Sequence, residues 1–202
     1  MHSEPKQSNA PGTPTRYRAT AIGTSSVHAQ RRGDTWYLRA AEPLGEHPRR
    51  MTDRLASGAQ THPERWLAAR RGIDGEWIGV SYAKALQSAR AIGQALLARN
   101  LSVERPVAIL SGNDLEHLQL ALGAMWAGIP YAAISPAYAL ASGDFGKLRH
   151  TIDLLTPGLV LVSDYDVFAR AIAAVVPADV EVVSVNGPRE ARAAHSVTSF
   201  DD

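Results

Sequence analysis

Residues Glu104–Tyr138, ERPVAILSGNDLEHLQLALGAMWAGIPYAAISPAY, decide the fold of this 202-residue chain. The apolar run Pro106–Leu110 has no polar alternation, which is typical of a strand buried on both faces of a parallel sheet. A helix is predicted over Asp114–Ala127, where Gly128 is placed to end it. A second buried strand is expected at Tyr131–Ile134. Strand, helix and strand together form one βαβ unit of a parallel sheet.

The same alternation continues on both sides of this unit. Before it, apolar residues from Tyr82 to Leu97 recur at three- and four-residue spacing, which predicts an amphipathic helix that begins at Ser81 and ends near Arg99. After it we expect helix Asp144–Leu155, strand Leu159–Val162, helix Asp164–Val175 and strand Val180–Val183. The sequence therefore predicts an α/β domain in which helices flank a doubly wound parallel sheet.

The amino-terminal part of the chain has a weaker pattern. Tyr17–Leu38 is expected to contain a hairpin that turns at Arg31–Asp34. A short helix is expected to begin with Thr52 or Asp53 as its cap and to end near Gln60. Two further strands are expected at Trp66–Arg70 and Trp77–Val80.

These patterns divide the chain into three parts. Residues 1–16 are rich in Pro, Ser, Gln, Gly and Thr and nearly lack bulky apolar side chains, so a disordered tail is expected there. Residues 17–185 are expected to form the ordered domain. Residues 186–202 are expected to form a tail without a pattern.

The composition excludes several classes of protein. With 21 Lys and Arg against 20 Asp and Glu, the net charge of +1 provides no field to attract nucleic acid or an anionic membrane. The absence of cysteine excludes disulfides and a catalytic thiol and fits a reducing compartment. The first 30 residues lack the apolar region of a secretory signal, and the apolar stretch Leu118–Ile134 is too short to span a bilayer. We expect a cytoplasmic protein without nucleic-acid or membrane partners.

The turn Ser111-Gly112-Asn113 is the strongest candidate binding site. It follows a predicted central strand and precedes a helix, which is where open α/β sheets bind ligands and where backbone N–H groups can bind an anion. Helix capping explains the same residues, because Asn113 can cap the helix with Glu116 as its partner in a capping box. We favour the structural role and assign no cofactor-binding residue.

No residue is assigned to catalysis or to metal binding. Asp144-Phe145-Gly146 matches the magnesium triplet of kinases, but the other kinase motifs are missing. Ser111 lacks the Gly-x-Ser-x-Gly frame of a nucleophile elbow, and the spacing gives no Ser/His/Asp set. The sequence contains no Gly-x-x-x-x-Gly-Lys-Ser/Thr phosphate loop. The seven histidines lack the spacing of metal ligands: His2, His28, His47, His62, His117, His150 and His195.

Three segments resemble core motifs of the adenylate-forming enzymes, which include acyl-CoA synthetases, luciferases and peptide-synthetase adenylation domains. They are Val80–Leu86, Arg105–Leu110 followed by Asn113, and Met125–Pro136. In the first of them, Lys84 and Ala85 stand where Glu is common in the family. Within this superfamily the chain is most similar to the feruloyl-CoA synthetases, in Ala41–Gly45, Pro48–Leu55, Ser111–His117, Ser135–Tyr138 and Asp144–Leu148.

The resemblance implies an acid–thiol ligase that works in two steps. A carboxylate, here an aromatic acid of the hydroxycinnamate type, attacks the α-phosphate of ATP and gives an acyl-adenylate and pyrophosphate. The thiol of CoA then displaces AMP. The resemblance therefore implies ATP, CoA and Mg²⁺ as cofactors.

The family's phosphate loop, its later acidic motifs and its carboxy-terminal Lys have no counterpart in this sequence. The likeness runs from about Tyr17 to Asp164, which is most of this chain but only the amino-terminal part of such an enzyme. We therefore expect an incomplete portion of the adenylate-forming fold that is inactive alone. A split gene, a frameshift or a partial sequence would each explain its length. A free-standing, non-catalytic α/β binding module and a small complete enzyme that uses the Ser111–Asn113 turn remain as alternatives.

Overall fold

The computed structural model describes residues 26–187 and 197–200. Contacts within the chain define two units, one ending at His47 and the other beginning at Pro48. The expected tail at residues 1–16, and the beginning of the hairpin region at residues 17–25, lie outside the described residues.

The first unit contains an antiparallel hairpin of β1, Val27–Arg32, and β2, Thr35–Ala40. Gly33 in the connecting turn has a φ of 61°, a left-handed conformation that glycine adopts without strain. The predicted turn is thus confirmed. Since directly paired residues share one face of a sheet, the register places five apolar side chains on the same face: Val27, Ala29, Trp36, Leu38 and Ala40. The larger ones are exposed, with 58% of Val27, 61% of Trp36 and 68% of Leu38 accessible.

The second unit alternates strands and helices as the sequence predicts. Its elements are α1 Met51–Thr61, β3 Trp66–Arg71, β4 Trp77–Ser81, α2 Tyr82–Leu97, β5 Val107–Leu110, α3 Leu115–Ala127, β6 Tyr131–Ala133, α4 Ala137–Leu140, α5 Gly146–Leu155, β7 Leu159–Asp164, α6 Tyr165–Val175, β8 Glu181–Asn186 and β9 Val197–Ser199. Strands β3 and β4 form an antiparallel pair, and the other five strands form one sheet.

The five-stranded sheet has the order β6-β5-β7-β8-β9, and each neighbouring pair is parallel. The chain moves outward from β5 to β6 and then returns to the other side of β5 to form β7. The strand order therefore reverses between β5 and β7, which is the topological switch point of a doubly wound sheet. The predicted α/β architecture is confirmed.

Helices cover both faces of this sheet. Val107 and Ile109 of β5 pack with residues of α2 and α3, such as Leu96 and Leu120. The alternating residues of the same strand, Ala108 and Leu110, pack on the opposite face with residues of α5 and α6: Leu148, Ile152, Phe168 and Ile172. Both faces of β5 are buried, which explains why this strand is apolar throughout.

Helices α2 and α3 approach each other closely at two glycines. A Cβ atom placed on Gly123 of α3 would lie 2.4 Å from Cγ2 of Ile92 and 3.3 Å from the backbone nitrogen of Gly93 in α2. A Cβ atom placed on Gly93 would in turn lie 3.2 Å from the carbonyl oxygen of Gly123. The absence of side chains at both positions permits this helix contact.

Strand β6 departs from the prediction. We expected a buried strand at Tyr131–Ile134, but β6 spans Tyr131–Ala133 and pairs, among the described strands, only with β5. It is an edge strand, and Tyr131 is 36% exposed. Of the expected strand, only Ile134, which follows β6, reaches the buried core. An apolar run of this length does not indicate whether a strand is central or lies at an edge.

The start of α1 and the last part of the chain also differ from expectation. Arg50 is the residue that caps α1, because its backbone N–H donates to Oδ2 of Asp53 at 3.1 Å; neither Thr52 nor Asp53 is the cap.

Strand β9 lies within residues 186–202, where we expected a tail without a pattern. It is held by parallel pairing with β8 and by Phe200, whose N–H donates to the carbonyl oxygen of Ser184. Backbone hydrogen bonds alone can hold such a short edge strand. Its sequence therefore needs no apolar run, and no pattern predicts it.

Two helical details also differ. Leu97, expected in the apolar stripe of α2, is exposed because it is the last residue of that helix, next to the buried Leu96. Helix α4, Ala137–Leu140, lies in a segment for which no element was predicted, and a helix of one turn carries too little periodicity to be recognised.

Candidate functional site

The Ser111-Gly112-Asn113 turn lies at the carboxyl end of β5, beside the point at which the strand order reverses. Ser111 is buried, whereas Gly112 and Asn113 are exposed. Open α/β sheets bind ligands at this position. The structure therefore confirms the location predicted for the turn, and the contacts of its residues decide what it can do.

Asp114 caps helix α3, and the predicted cap at Asn113 is wrong. The backbone of Asp114 is extended, with φ of −117° and ψ of 166°, and its Oδ1 accepts the N–H of His117 at 2.8 Å. The helix begins at Leu115, one residue later than expected. Asn and Asp are equally good caps, so the sequence Asn113-Asp114 leaves the first residue of the helix uncertain by one position.

Replacing Asp114 by alanine is therefore expected to lower the free energy of unfolding by about 1 kcal/mol, with a range of roughly 0.5–2 kcal/mol for the loss of a cap. Asn113→Ala is the matched control and is expected to change stability by less than about 0.5 kcal/mol. Urea unfolding of the two variants and the parent chain, followed by circular dichroism, measures both values. A larger loss of stability in the Asn113 variant than in the Asp114 variant would identify Asn113 as the cap, as the sequence predicts.

Ser111 and His117 come together in a contact that the sequence did not reveal. Oγ of Ser111 lies 3.0 Å from Nδ1 of His117, and this nitrogen also lies 3.1 Å from the carbonyl oxygen of Gly112. The two residues are six positions apart, on a turn and on the first turn of a helix. Neither the helix period nor the strand period applies to two residues six positions apart across the start of a helix. Their contact therefore follows from the geometry of the cap.

This contact lacks the third member of a catalytic triad, and its direction depends on the tautomer of His117. A carbonyl oxygen only accepts hydrogen bonds, so the bond to Gly112 requires the proton on Nδ1. With its proton on Nδ1, the ring cannot take the proton of Ser111 through that atom. The hydroxyl of Ser111 instead donates to the carbonyl oxygen of Gly112 at 3.3 Å. Asp114 binds the backbone of His117 rather than its ring, so the three residues form no Ser/His/Asp triad.

A cavity of about 350 Å³ lies beside the first two turns of α3. Arg70, Asn113 and His117 contribute polar groups, while Leu118 and Ala121 contribute apolar surface. The remaining lining residues belong to β3, α3 and the beginning of β6: Ala68, Ala69, Asp114, Leu115 and Tyr131. A cavity of this size can hold a small molecule.

The acidic groups near the turn after β5 limit what the turn can hold. Among residues 26–187 and 197–200, no three His, Asp or Glu side chains lie close enough to hold a metal ion. The N–H of His117 in the first turn of α3 is already bound by the carboxylate of Asp114, whose negative charge also repels phosphate. Metal and phosphate chemistry therefore cannot be assigned to this turn.

Asp144, in the triplet that matches the kinase motif, has a local structural role. Its Oδ1 accepts the N–H of Gly146 at 3.0 Å and the hydroxyl of Ser142 at 2.8 Å. These bonds hold the entry to α5, where Phe145 has a φ of 56°. The N–H of Gly146, followed by the hydroxyl of Ser142, lowers the pKa of Asp144 below its ordinary value of 3.8. The folded state therefore favours the charged carboxylate.

We expect the Asp144→Asn variant to be slightly less stable than the parent chain at pH 7. Because the pKa is lower in the folded state, the stabilisation is fully present above about 3.8 and disappears as the pH falls through the folded-state pKa. Thermal unfolding at pH 7 and at successively lower pH measures this difference, which should shrink on acidification. Asp153→Asn, which removes an exposed carboxylate from α5 itself, is the control. A difference that grows towards acidic pH would contradict this assignment.

A family model described as AMP-binding enzyme matches residues 55–199. None of the curated proteins matches the chain. The described fold is similar to a solved structure from Rhodopseudomonas palustris named as a long-chain-fatty-acid CoA ligase, with 18% identity and a TM-score of 0.58 over 77% of this chain and 36% of that chain.

Two further solved structures have similar folds. One is a fatty acyl-adenylate ligase from L. pneumophila in complex with acyl adenylate and pyrophosphate, with 21% identity and a TM-score of 0.52 over 67% of this chain and 22% of that chain. The other is the complex of VinN with L-aspartate, with 19% identity and a TM-score of 0.53 over 67% of this chain and 32% of that chain. The chain thus spans between 22% and 36% of the lengths of these three proteins.

Proposed function

Because the chain belongs to the AMP-binding enzyme family, whose model matches residues 55–199, we propose that it is the amino-terminal portion of an ATP-dependent acid–CoA ligase that releases AMP. The observation that carries this proposal is the extent of the family match, which runs from α1 through β9. The parallel sheet and its flanking helices are consistent with the match, because adenylate-forming ligases share this fold with the chain.

In the complete enzyme, this portion contributes scaffold rather than reacting groups. The buried residues of β5 and β7 build a rigid sheet, and the turn after β5 is held by Asp114 and by the contact between Ser111 and His117. ATP and Mg²⁺ would activate the acid as an adenylate, and CoA would accept the acyl group. We place the metal and the phosphates elsewhere in the enzyme, because no three His, Asp or Glu side chains among residues 26–187 and 197–200 lie close enough to hold a metal ion, and Asp114 already binds the first turn of α3. We propose that the 202-residue chain is inactive alone.

Pyrophosphate exchange tests this proposal directly. With ATP, Mg²⁺, ferulate and labelled pyrophosphate, the purified 202-residue chain is expected to produce no labelled ATP above a blank without protein. Formation of an acyl-adenylate is reversible, so an active enzyme must exchange the label. Exchange that depends on ferulate and on this chain would overturn the prediction and would favour a small complete enzyme that uses the Ser111–Asn113 turn.

The acid is proposed to be an aromatic carboxylate of the hydroxycinnamate type. Support comes from the segments similar to feruloyl-CoA synthetases, such as Ser111–His117 and Asp144–Leu148. The structural neighbours named above act on or bind other acids, including acyl chains and L-aspartate. The same exchange assay on the complete enzyme therefore compares ferulate, a long-chain fatty acid and L-aspartate. Faster exchange with either of the latter would reject the hydroxycinnamate assignment without affecting the ligase class.

The alternative function is a non-catalytic α/β binding module. The cavity beside α3 favours it, because that cavity could accept a ligand without any catalytic group. Reading the nucleotides that follow the Asp202 codon in all three frames distinguishes the two proposals. A Ser/Thr/Gly-rich segment ending in Pro-Lys supports the ligase, whereas a stop codon followed by unrelated sequence supports the module.

The proposed location is the cytoplasm, with neither nucleic acid nor membrane as a partner. The net charge of +1 supports this part of the proposal, since it provides no general attraction for anionic polymers or lipids. Within residues 26–187 and 197–200, no helix is long and apolar enough to cross a membrane.

A further inference from the structure

We draw no further inference here: the strongest candidate, the exposed apolar face of the β1–β2 hairpin formed by Val27, Trp36 and Leu38, carries none because nothing in the structure shows what covers it.

Discussion

Replacing Gly123 by valine is expected to lower the free energy of unfolding by about 3 kcal/mol, because the new side chain has no room between α2 and α3. Even a single added Cβ would lie 2.4 Å from Cγ2 of Ile92 and 3.3 Å from the backbone nitrogen of Gly93. The second of these contacts involves backbone, which no rotamer change can move. The helices must therefore separate, and separation would open the core between α2, α3 and the sheet.

Gly123→Ala provides a milder test in case the valine variant does not fold. Alanine improves helix propensity by about 1 kcal/mol over glycine, whereas overpacking costs about 1–3 kcal/mol, so a net loss of about 1 kcal/mol is expected. Gly112→Ala is the control, since no atom lies within 4 Å of its added Cβ. Urea unfolding followed by tryptophan fluorescence compares the variants. An alanine variant more stable than the parent would show that the two helices are not in tight contact.

Replacing Ile109 by alanine is expected to cost about 2–5 kcal/mol, the range for large-to-small changes in a core. Ile109 is fully buried on β5 and packs in the cluster beneath α2 and α3. Its strand is bonded to a neighbour on each side, so the sheet cannot collapse easily into the space left by the side chain. Two effects add to this cost: the deleted apolar atoms no longer gain free energy by leaving water, and a cavity remains where they packed.

Tyr131→Ala is the matched comparison, since Tyr131 opens the adjacent strand β6 but is 36% exposed. We expect this change to cost about 1 kcal/mol or less. Urea unfolding measures both losses of stability. If the slope of unfolding free energy against urea concentration equals that of the parent chain, the shifts in the unfolding midpoint can be compared directly. Similar costs at both positions would contradict the placement of β6 at the edge of the sheet, and would favour the buried strand expected from the sequence.

The central part of the fold could be predicted because its signals are local. The apolar run of β5 identifies a strand buried on both faces, and the spacing from Tyr82 onward identifies α2, for which Ser81 is the cap in the structure. Gly128 ends α3 with a φ of 74°, as its position after the apolar helix predicts. Each of these features depends on residues that are near one another in the chain.

The remaining features depend on contacts between distant segments or on a shift of one residue. The edge position of β6 follows from the order of the strands, which an apolar run of three or four residues does not encode. Strand β9 exists because β8 offers backbone hydrogen bonds. At the candidate site, the sequence located the turn but assigned the cap to Asn113 instead of Asp114. It also missed the contact between Ser111 and His117, because that contact requires the exact geometry of the cap.

The return of the chain from β6 to the far side of β5 also sets the order in which the sheet can form during synthesis. Val107 of β5 pairs with Tyr131 of β6 and with Leu159 of β7, so one neighbour leaves the ribosome well before the other. Until β7 emerges, one edge of the most apolar strand has no partner and can bind a second nascent chain. Ribosome-bound chains that stop before Leu159 are therefore expected to need a chaperone, whereas chains that extend beyond β8 can complete the centre of the sheet themselves.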